Sequence, residues 1–257
     1  LFGRRGEVLA VSQRALRQIY PGPGMVEHDP VEIRDSCVGV IRDCLSRPGI
    51  DPGECVAMGI TNQRETTVVW DARTGEPLCN AIVWQDRRTH AFCQELRDRG
   101  LGETVLSKTG LQVDAYFSGT KLRWILENVP GARDGAESGD VLFGTVESWL
   151  MWCLTGGKVH ATDYSNAART MMFNITDLAW DSELLEILGI PEAMLPTPCP
   201  PGHVFGTTDP SVIGVSVPIA SALGDQQAAL FGQTCFNKGE AKNTYGTGGF
   251  LLMNTGD

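Results

Sequence analysis

Basic residues are scarce relative to acidic ones in this sequence of 257 residues. Lysine and arginine together number 21, while aspartate and glutamate number 31, which gives a formal net charge of −10 at pH 7. An acidic surface repels the phosphates of nucleic acids and of anionic membranes, so neither is expected as a principal partner. The sequence also lacks any run of about 18 apolar residues, and we expect no stable membrane association.

Motifs for metal binding and redox chemistry are absent as well. None of the eight cysteines forms a C-x-x-C pair, and the four histidines do not cluster with them. This argues against a zinc site or a thioredoxin-like motif, and no residue is predicted to bind a metal ion. We expect no signal peptide, and the cysteines lie mostly in apolar runs. The sequence therefore favours buried free thiols in a cytoplasmic protein over disulfides.

The composition is that of a globular chain, with 42% hydrophobic and 20% charged residues. A chain of this length can build a core without disulfides or metals, as one large domain or two small ones. The chain opens at Leu1 without a methionine and closes at Asp257 just after a predicted strand. We therefore expect both ends to be cuts within a longer protein.

Hydrophobic periodicity predicts strands that alternate with helices. Asp29, Pro30 and Glu32 supply an N-cap, a first-turn proline and an N3 acid for the first helix. Strands are predicted over residues 7–13, 55–60, 66–70, 78–84, 141–143 and 218–223, with two more around a glycine turn in 242–253. Helices are predicted over 30–45, 87–99, 119–128, 146–154, 181–188 and 225–232, and a long surface connection over 196–218. The alternation favours an α/β fold with a mixed sheet.

Polar side chains follow the buried strand that ends near residue 60. Arg64 and Glu65 stand side by side there and offer donors and acceptors that suit a polyhydroxylated ligand. The alternative is a solvated loop with a surface ion pair. Trp84 ends another predicted strand, where its ring can stack on the apolar face of a sugar or polyol. The alternative for Trp84 is a place in the core.

Three further positions are candidates for a ligand site. Tyr116 precedes a predicted helix, in a loop that could reach a pocket. Asp225 follows an apolar strand at a helix start, where it can act as a general base or as a helix N-cap. Gly246, Thr247 and Gly248 lie between two strands, and glycine allows backbone N–H groups to approach an anion closely. They match neither a Walker A nor a Rossmann motif, and a plain hairpin turn is the alternative.

In this order and spacing, the motifs resemble the FGGY carbohydrate kinases, and among them the members that act on glycerol. Residues 116–128 resemble the family's first signature, with an aromatic residue at Tyr116 followed by Lys121 and Trp124. The strings that carry the resemblance cover nearly the whole chain: GMVEHDP, ITNQRETT, NAIVWQDRRT, YFSGTK, LFGTVESWL, HATDYSNAARTMMFNI, GDQQAALFGQ and KNTYGTGGFLLMNTG.

The resemblance implies an activity and a set of site residues. It implies a ribonuclease-H-like lobe of the actin, Hsp70 and hexokinase type, in an enzyme that uses ATP and Mg²⁺ to phosphorylate glycerol to sn-glycerol 3-phosphate. Another polyol or a pentulose such as xylulose or ribulose is the alternative substrate. The glycerol site would comprise Arg64, Glu65, Trp84, Tyr116, Asp225, Gln226 and Phe250. Asp225 would be the general base, and Gly246, Thr247 and Gly248 would face the nucleotide phosphates.

The resemblance also implies a domain organisation. Residues 1–233 would be the N-terminal substrate-binding lobe without the family's first strand and phosphate loop, and residues 234–257 the first hairpin of the C-terminal nucleotide-binding lobe. The full-length enzyme would be a homo-oligomer that binds ATP and releases ADP. We expect the 257-residue piece to be inactive by itself, and a non-catalytic binding module is the alternative from a different class.

Overall fold

The computed structural model describes residues 1–246 and 248–256. The first half of the chain forms β1 (Glu27–His28), α1 (Pro30–Leu45), β2 (Met58–Asn62), β3 (Val68–Asp71), β4 (Ala81–Ile82), α2 (His90–Asp98), α3 (Gly102–Thr109), α4 (Ser118–Asn128) and α5 (Ala132–Ser138). The second half forms β5 (Val141–Gly144), α6 (Val146–Leu154), β6 (Ala161–Asp163), α7 (Tyr164–Ala167), β7 (Phe173–Asn174), β8 (Ala179–Trp180), α8 (Ser182–Leu188), β9 (Thr197–Cys199), β10 (Gly206–Thr207), α9 (Pro210–Ile213), β11 (Pro218–Gly224), α10 (Asp225–Gly232), β12 (Ala241–Tyr245) and β13 (Gly249–Met253). Short 3₁₀ turns lie at Pro52–Glu54 and Glu192–Met194.

A mixed sheet in the order β10-β11-β2 positions the candidate site. β10 runs antiparallel to β11, and β11 runs parallel to β2 with Gly224 opposite Asn62. Because the two parallel strands end at the same level, the residues that follow them emerge at one edge. The α/β class with a mixed sheet, predicted from the alternation of elements, is confirmed.

Helix α6 joins two of the hydrophobic cores. Its residues Leu150 and Leu154 pack with β2 and β11, in a core that α1 and α9 complete. Trp149 on another face of the same helix packs against Trp70 of β3, with ring centroids 5.2 Å apart. A helix that is apolar on nearly all faces is buried on nearly all faces, as α6 is. A third core lies among α2, α3, α4, α5 and α8.

Most of the predicted elements are present, with boundaries that shift by a few residues. Helix α1 begins where its capping signal predicts, and the Asp29 carboxylate accepts a hydrogen bond from the backbone N–H of Val31 at 2.8 Å. Helix α2 begins at His90, three residues later than predicted. Helix α10 and the β12–β13 pair lie where the sequence places them.

Three predictions of secondary structure are wrong. Residues 7–13 form no strand beyond an isolated bridge between Phe2 and Val8, because no strand among the described residues pairs along their length. In 78–84 only Ala81 and Ile82 are paired as a strand. The segment 196–218 is not a plain connection, since it holds β9, β10 and α9.

All eight cysteines are free thiols. The prediction that they are buried is wrong for all except Cys93, since the other seven are half-buried. No described helix is both long and apolar enough to span a bilayer.

Candidate functional site

The candidate site lies where the parallel strands β2 and β11 end. Arg64 and Glu65 follow β2, and Asp225 follows β11 directly. Gly224 makes this close approach possible, because a Cβ at that position would lie 2.5 Å from Cδ of Arg64. In open α/β sheets, ligands bind outside the carboxyl ends of the strands, and this edge is such a place.

A cleft of about 240 Å³ opens at this edge. Its lining includes the seven side chains predicted for the substrate site, which are Arg64, Glu65, Trp84, Tyr116, Asp225, Gln226 and Phe250. Gln63, Thr244, Gly246 and Gly248 complete the lining. Thr247, the remaining predicted residue, lies outside the described residues. The structure thus brings together side chains that are up to 186 positions apart, from Arg64 to Phe250.

Arg64 and Asp225 form an ion pair across the strand ends. Nε of Arg64 lies 3.2 Å from Oδ1 of Asp225, and Arg64 is 5% exposed whereas the Asp225 side chain is 43% exposed. This burial rules out the solvated loop that was the alternative for Arg64. Gly224 takes the N-cap position of α10, and Asp225 is the first helical residue. The N-cap alternative for Asp225 is therefore wrong, and its carboxylate opens towards the cleft.

Glu65 has a backbone conformation that side-chain contacts hold in place. Its φ of 61° lies in the left-handed region, which is costly for a residue other than glycine. The carbonyl of Glu65 accepts hydrogen bonds from the hydroxyls of Thr67 and Ser118 and from the ammonium of Lys121. The ammonium of Lys121 is completely buried, and burial lowers its pKa to about 7. Such strain, fixed from several sides, is typical of a ligand site.

The carboxylate of Glu65 faces a cation. It is 1% exposed, and Nε of Arg169 donates a hydrogen bond of 2.7 Å to its Oε1. Burial raises the pKa of the Glu65 carboxyl, while the positive charges of Arg169 and Arg64 act against that increase. Arg169 thus favours the charged form, which accepts hydrogen bonds from hydroxyl groups.

Three aromatic rings form one wall of the cleft. Trp84 meets Tyr116 edge to face with centroids 5.5 Å apart, and it meets Phe250 at 6.2 Å. Trp84 is half-buried, which does not fit the alternative of a core position. Burial, with the nearby Glu65 carboxylate, raises the pKa of Tyr116 to about 12, so its hydroxyl stays protonated. The wall can cover the carbon atoms of a small polyol.

The β12–β13 hairpin closes the cleft from the side of α10. Gly246 and Gly248 line the opening, and a Cβ at Gly246 would meet only open space. The buried ammonium of Lys242 donates hydrogen bonds to the side chains of Gln226 and Thr244, which attaches the hairpin to the site. The N–H of Gly246 donates a hydrogen bond of 3.0 Å to the carbonyl of Gly248. The lack of side chains at these two glycines still leaves room for an anionic phosphate to approach.

A second group of carboxylates lies at the end of β2, next to the cleft. Glu147 is 0% exposed and accepts hydrogen bonds from the hydroxyls of Thr145 and Thr162 and from the amide of Asn62. Burial, together with the negative charge of the nearby Asp163, raises the pKa of Glu147 to about 7. In residues 1–246 and 248–256 there is no cluster of three or more metal-ligand side chains.

The fold and the cleft together define a class of protein: an α/β lobe with a small polar cleft, walled on one side by aromatic rings, at the carboxyl ends of two parallel strands. A model of the N-terminal domain of the FGGY family of carbohydrate kinases matches residues 1–232. The chain therefore belongs to the FGGY family of carbohydrate kinases.

Similar proteins agree with this assignment. The chain is 61% identical over its 257 residues to a glycerol kinase of Symbiobacterium thermophilum, and it spans 52% of that relative. It matches the crystal structure of Plasmodium falciparum glycerol kinase with ADP at a TM-score of 0.95 and 34% identity, over 99% of this chain and 51% of that one. A xylulose kinase of Lactobacillus acidophilus shares the fold at a TM-score of 0.85 and 23% identity, over 97% and 50% of the two chains. The chain spans about half the length of the relatives it matches. The actin- and hexokinase-like fold expected from the sequence is confirmed.

Sequence reasoning missed three charged residues near the cleft. Arg169 follows the short helix α7, where no local pattern distinguishes it from a surface arginine. Lys242 stands in a strand with its side chain buried, and Glu147 lies in the first turn of an otherwise apolar helix. A charged residue within an apolar stretch was the available signal for Glu147.

Proposed function

We propose that this chain is the N-terminal substrate-binding lobe of an enzyme that transfers the γ-phosphoryl group of ATP to glycerol and forms sn-glycerol 3-phosphate. The observation that carries the proposal is the cleft, in which the seven predicted ligand residues meet. Its volume of about 240 Å³ is below the usual 300–1,000 Å³ or so of pockets for drug-sized ligands, and so it suits a small polyol. The identity of 61% to a glycerol kinase supports the same substrate.

In the proposed mechanism, the side chains of the cleft bind and orient glycerol. Arg64 and Glu65 fix two hydroxyl groups, one mainly by donating and the other by accepting hydrogen bonds. Trp84 and Phe250 cover the carbon chain and exclude water from the reacting hydroxyl. The carboxylate of Asp225 accepts the proton of that hydroxyl as it becomes the nucleophile.

ATP would supply the phosphoryl group when it is bound, with its phosphates near Gly246, Gly248 and, by sequence, Thr247. The described residues offer no metal cluster of their own. We therefore propose that Mg²⁺ enters with the nucleotide. We further propose that residues 1–233 form the substrate lobe, that residues 234–257 begin a nucleotide-binding lobe, and that the whole enzyme is a cytoplasmic homo-oligomer.

A coupled assay of ATP consumption tests the substrate. The full-length protein is supplied in turn with glycerol, dihydroxyacetone, xylulose and ribulose, and we expect the highest kcat/KM with glycerol. Activity with a pentulose but not with glycerol would overturn the proposal. The 257-residue chain alone, at the same molar concentration, is expected to show no turnover.

A further inference from the structure

We propose that Arg169 is a positioning residue, which fixes the Glu65 carboxylate so that it can recognise a substrate hydroxyl. The inference rests on the proposed function. Arg169 donates through Nε to Oε1 of Glu65 at 2.7 Å. Among the described residues, the hydrogen bond that the Glu65 carboxylate accepts is the one from Arg169, and it goes to Oε1. Oε2 is therefore the oxygen that remains for a ligand.

The guanidinium of Arg169 is held by two rings as well as by the carboxylate. Its central carbon lies 4.9 Å from the ring centroid of Phe117 and 5.6 Å from that of Tyr116. Cation–π contacts at these distances restrict where the charge can move. Because Tyr116 lines the cleft as well, one arginine touches two of the predicted ligand residues at once.

The residues on both sides of Arg169 attach its segment to the rest of the site, through a side chain on one side and through the backbone on the other. Asn166, three residues earlier, exchanges hydrogen bonds of 3.0 Å with Asn62 at the end of β2. The carbonyl of Thr170, the next residue, accepts a hydrogen bond of 2.7 Å from the backbone N–H of Gly119 in α4. A Cβ at Gly119 would lie 2.7 Å from that carbonyl, so the glycine allows the contact. Arg169 thus extends from a segment fixed to the end of β2, the strand that Glu65 follows.

Arg169 is one of three cations that stabilise the charged form of the Glu65 carboxyl. Arg64 from the same loop, Lys121 from α4 and Arg169 all favour the carboxylate, and the Tyr116 hydroxyl lies beside them. Burial acts in the opposite direction and raises the pKa of Glu65. Without Arg169 the pKa of Glu65 would rise further, and the carboxylate would accept a proton at a higher pH.

The test uses Arg169→Met in the full-length protein, with steady-state kinetics for both substrates. A hydrogen bond to a charged group contributes enough that we expect the KM for glycerol to rise about 10- to 100-fold. The KM for ATP is expected to stay within about twofold, because the arginine acts on the glycerol side. The acid limb of kcat/KM for glycerol should move to higher pH. A glycerol KM and a pH profile equal to those of the wild type would overturn the inference.

A matched control is Arg123→Met on α4. Arg123 also pairs with a glutamate, with Nε 2.8 Å from Oε1 of Glu127, and its guanidinium lies 4.0 Å from the centroid of the Phe92 ring. It has the same two kinds of contact, but its partner Glu127 does not line the cleft, whereas Glu65, the partner of Arg169, does. We expect its glycerol KM to be that of the wild type. An equal rise in the control would mean that loss of such an arginine acts through general destabilisation, which would overturn the inference.

A double-mutant cycle with Glu65→Gln separates positioning from structure. If Arg169 acts through the charge of Glu65, Arg169→Met in the Glu65→Gln background should raise the glycerol KM no further. Two independent increases that multiply would overturn the inference.

If the methionine variant does not fold, the same kinetic measurements on Arg169→Lys test the inference, because lysine keeps the positive charge and loses the planar guanidinium fork. A raised glycerol KM with an unshifted acid limb is expected, and wild-type kinetics would overturn the inference. Absence of glycerol phosphorylation in the wild type would instead refute the proposed function.

Discussion

Two glutamates of this chain are almost equally hidden from water but lie among different neighbours. Glu65 is 1% exposed and pairs with Arg169, whereas Glu147 is 0% exposed and is surrounded by hydroxyls and amides. Cations keep a buried carboxylate charged, while neutral donors only partly offset the cost of burial. Glu65 is therefore suited to bind a ligand. Glu147 is suited to hold the end of β2, the strand that Glu65 follows.

The largest expected effect concerns Asp225, the other cleft carboxylate with an arginine partner. In the full-length protein, Asp225→Asn should lower kcat about 10²- to 10⁴-fold, because an amide cannot accept the hydroxyl proton. Glycerol binding should be largely kept, since the side chain keeps its shape. Rapid-quench or coupled kinetics together with calorimetric titration of glycerol would measure both. Turnover near the wild-type value would remove Asp225 from the role of base.

Glu147 should affect stability more than chemistry. Glu147→Ala removes the carboxylate that accepts from the buried hydroxyls of Thr145 and Thr162, takes one acceptor from the Asn62 amide, and opens a cavity. We expect a loss of about 3 kcal/mol in the free energy of unfolding, measured by urea denaturation. The control is Glu137→Ala on α5, where the residue is exposed and the change should stay within about 0.5 kcal/mol. Similar losses in both variants would contradict the structural role given to Glu147.

The smallest expected effect is a pH dependence of stability that comes from Glu147. Its pKa is raised from 4.5 to about 7 in the folded state, so the folded protein holds this proton more tightly than the unfolded chain does. The resulting stabilisation is fully present below the unfolded pKa and is lost as the pH rises towards 7, by about 1 to 3 kcal/mol. Melting temperatures of the wild type and of Glu147→Gln between pH 4.5 and 8 isolate the contribution of this group. A difference between the two proteins that does not change with pH would refute it.

The residues of the site differ in how far the sequence could predict them. Arg64 and Glu65 come two and three positions after the end of β2, and Asp225 follows β11 directly; a polar residue just after a strand is a local signal. Arg169 and Lys242 act from other elements, and their local sequence is that of ordinary surface residues. Their importance comes from the buried groups that they meet, Glu65 and Gln226.

The fold shows the same division. Helix α1 was predictable because Asp29, Pro30 and Glu32 carry its start signal within four positions of each other. The alternation in residues 7–13 gave a wrong prediction, because a strand also needs a hydrogen-bonding partner beside it. Val8, Leu9 and Val11 are exposed there instead of being packed in a sheet.

The sequence by itself determined the α/β class, most helices and the residue types that can bind a polyol. Those features depend on periodicity, capping and side-chain chemistry, which act over a few residues. Only the tertiary structure decided that β2 and β11 run parallel in a register that places Arg64 beside Asp225. It also decided that Arg169, 104 positions from Glu65, neutralises that buried carboxylate. Such pairings depend on how distant segments pack, because the charge of a buried group must be balanced by whatever the fold brings next to it.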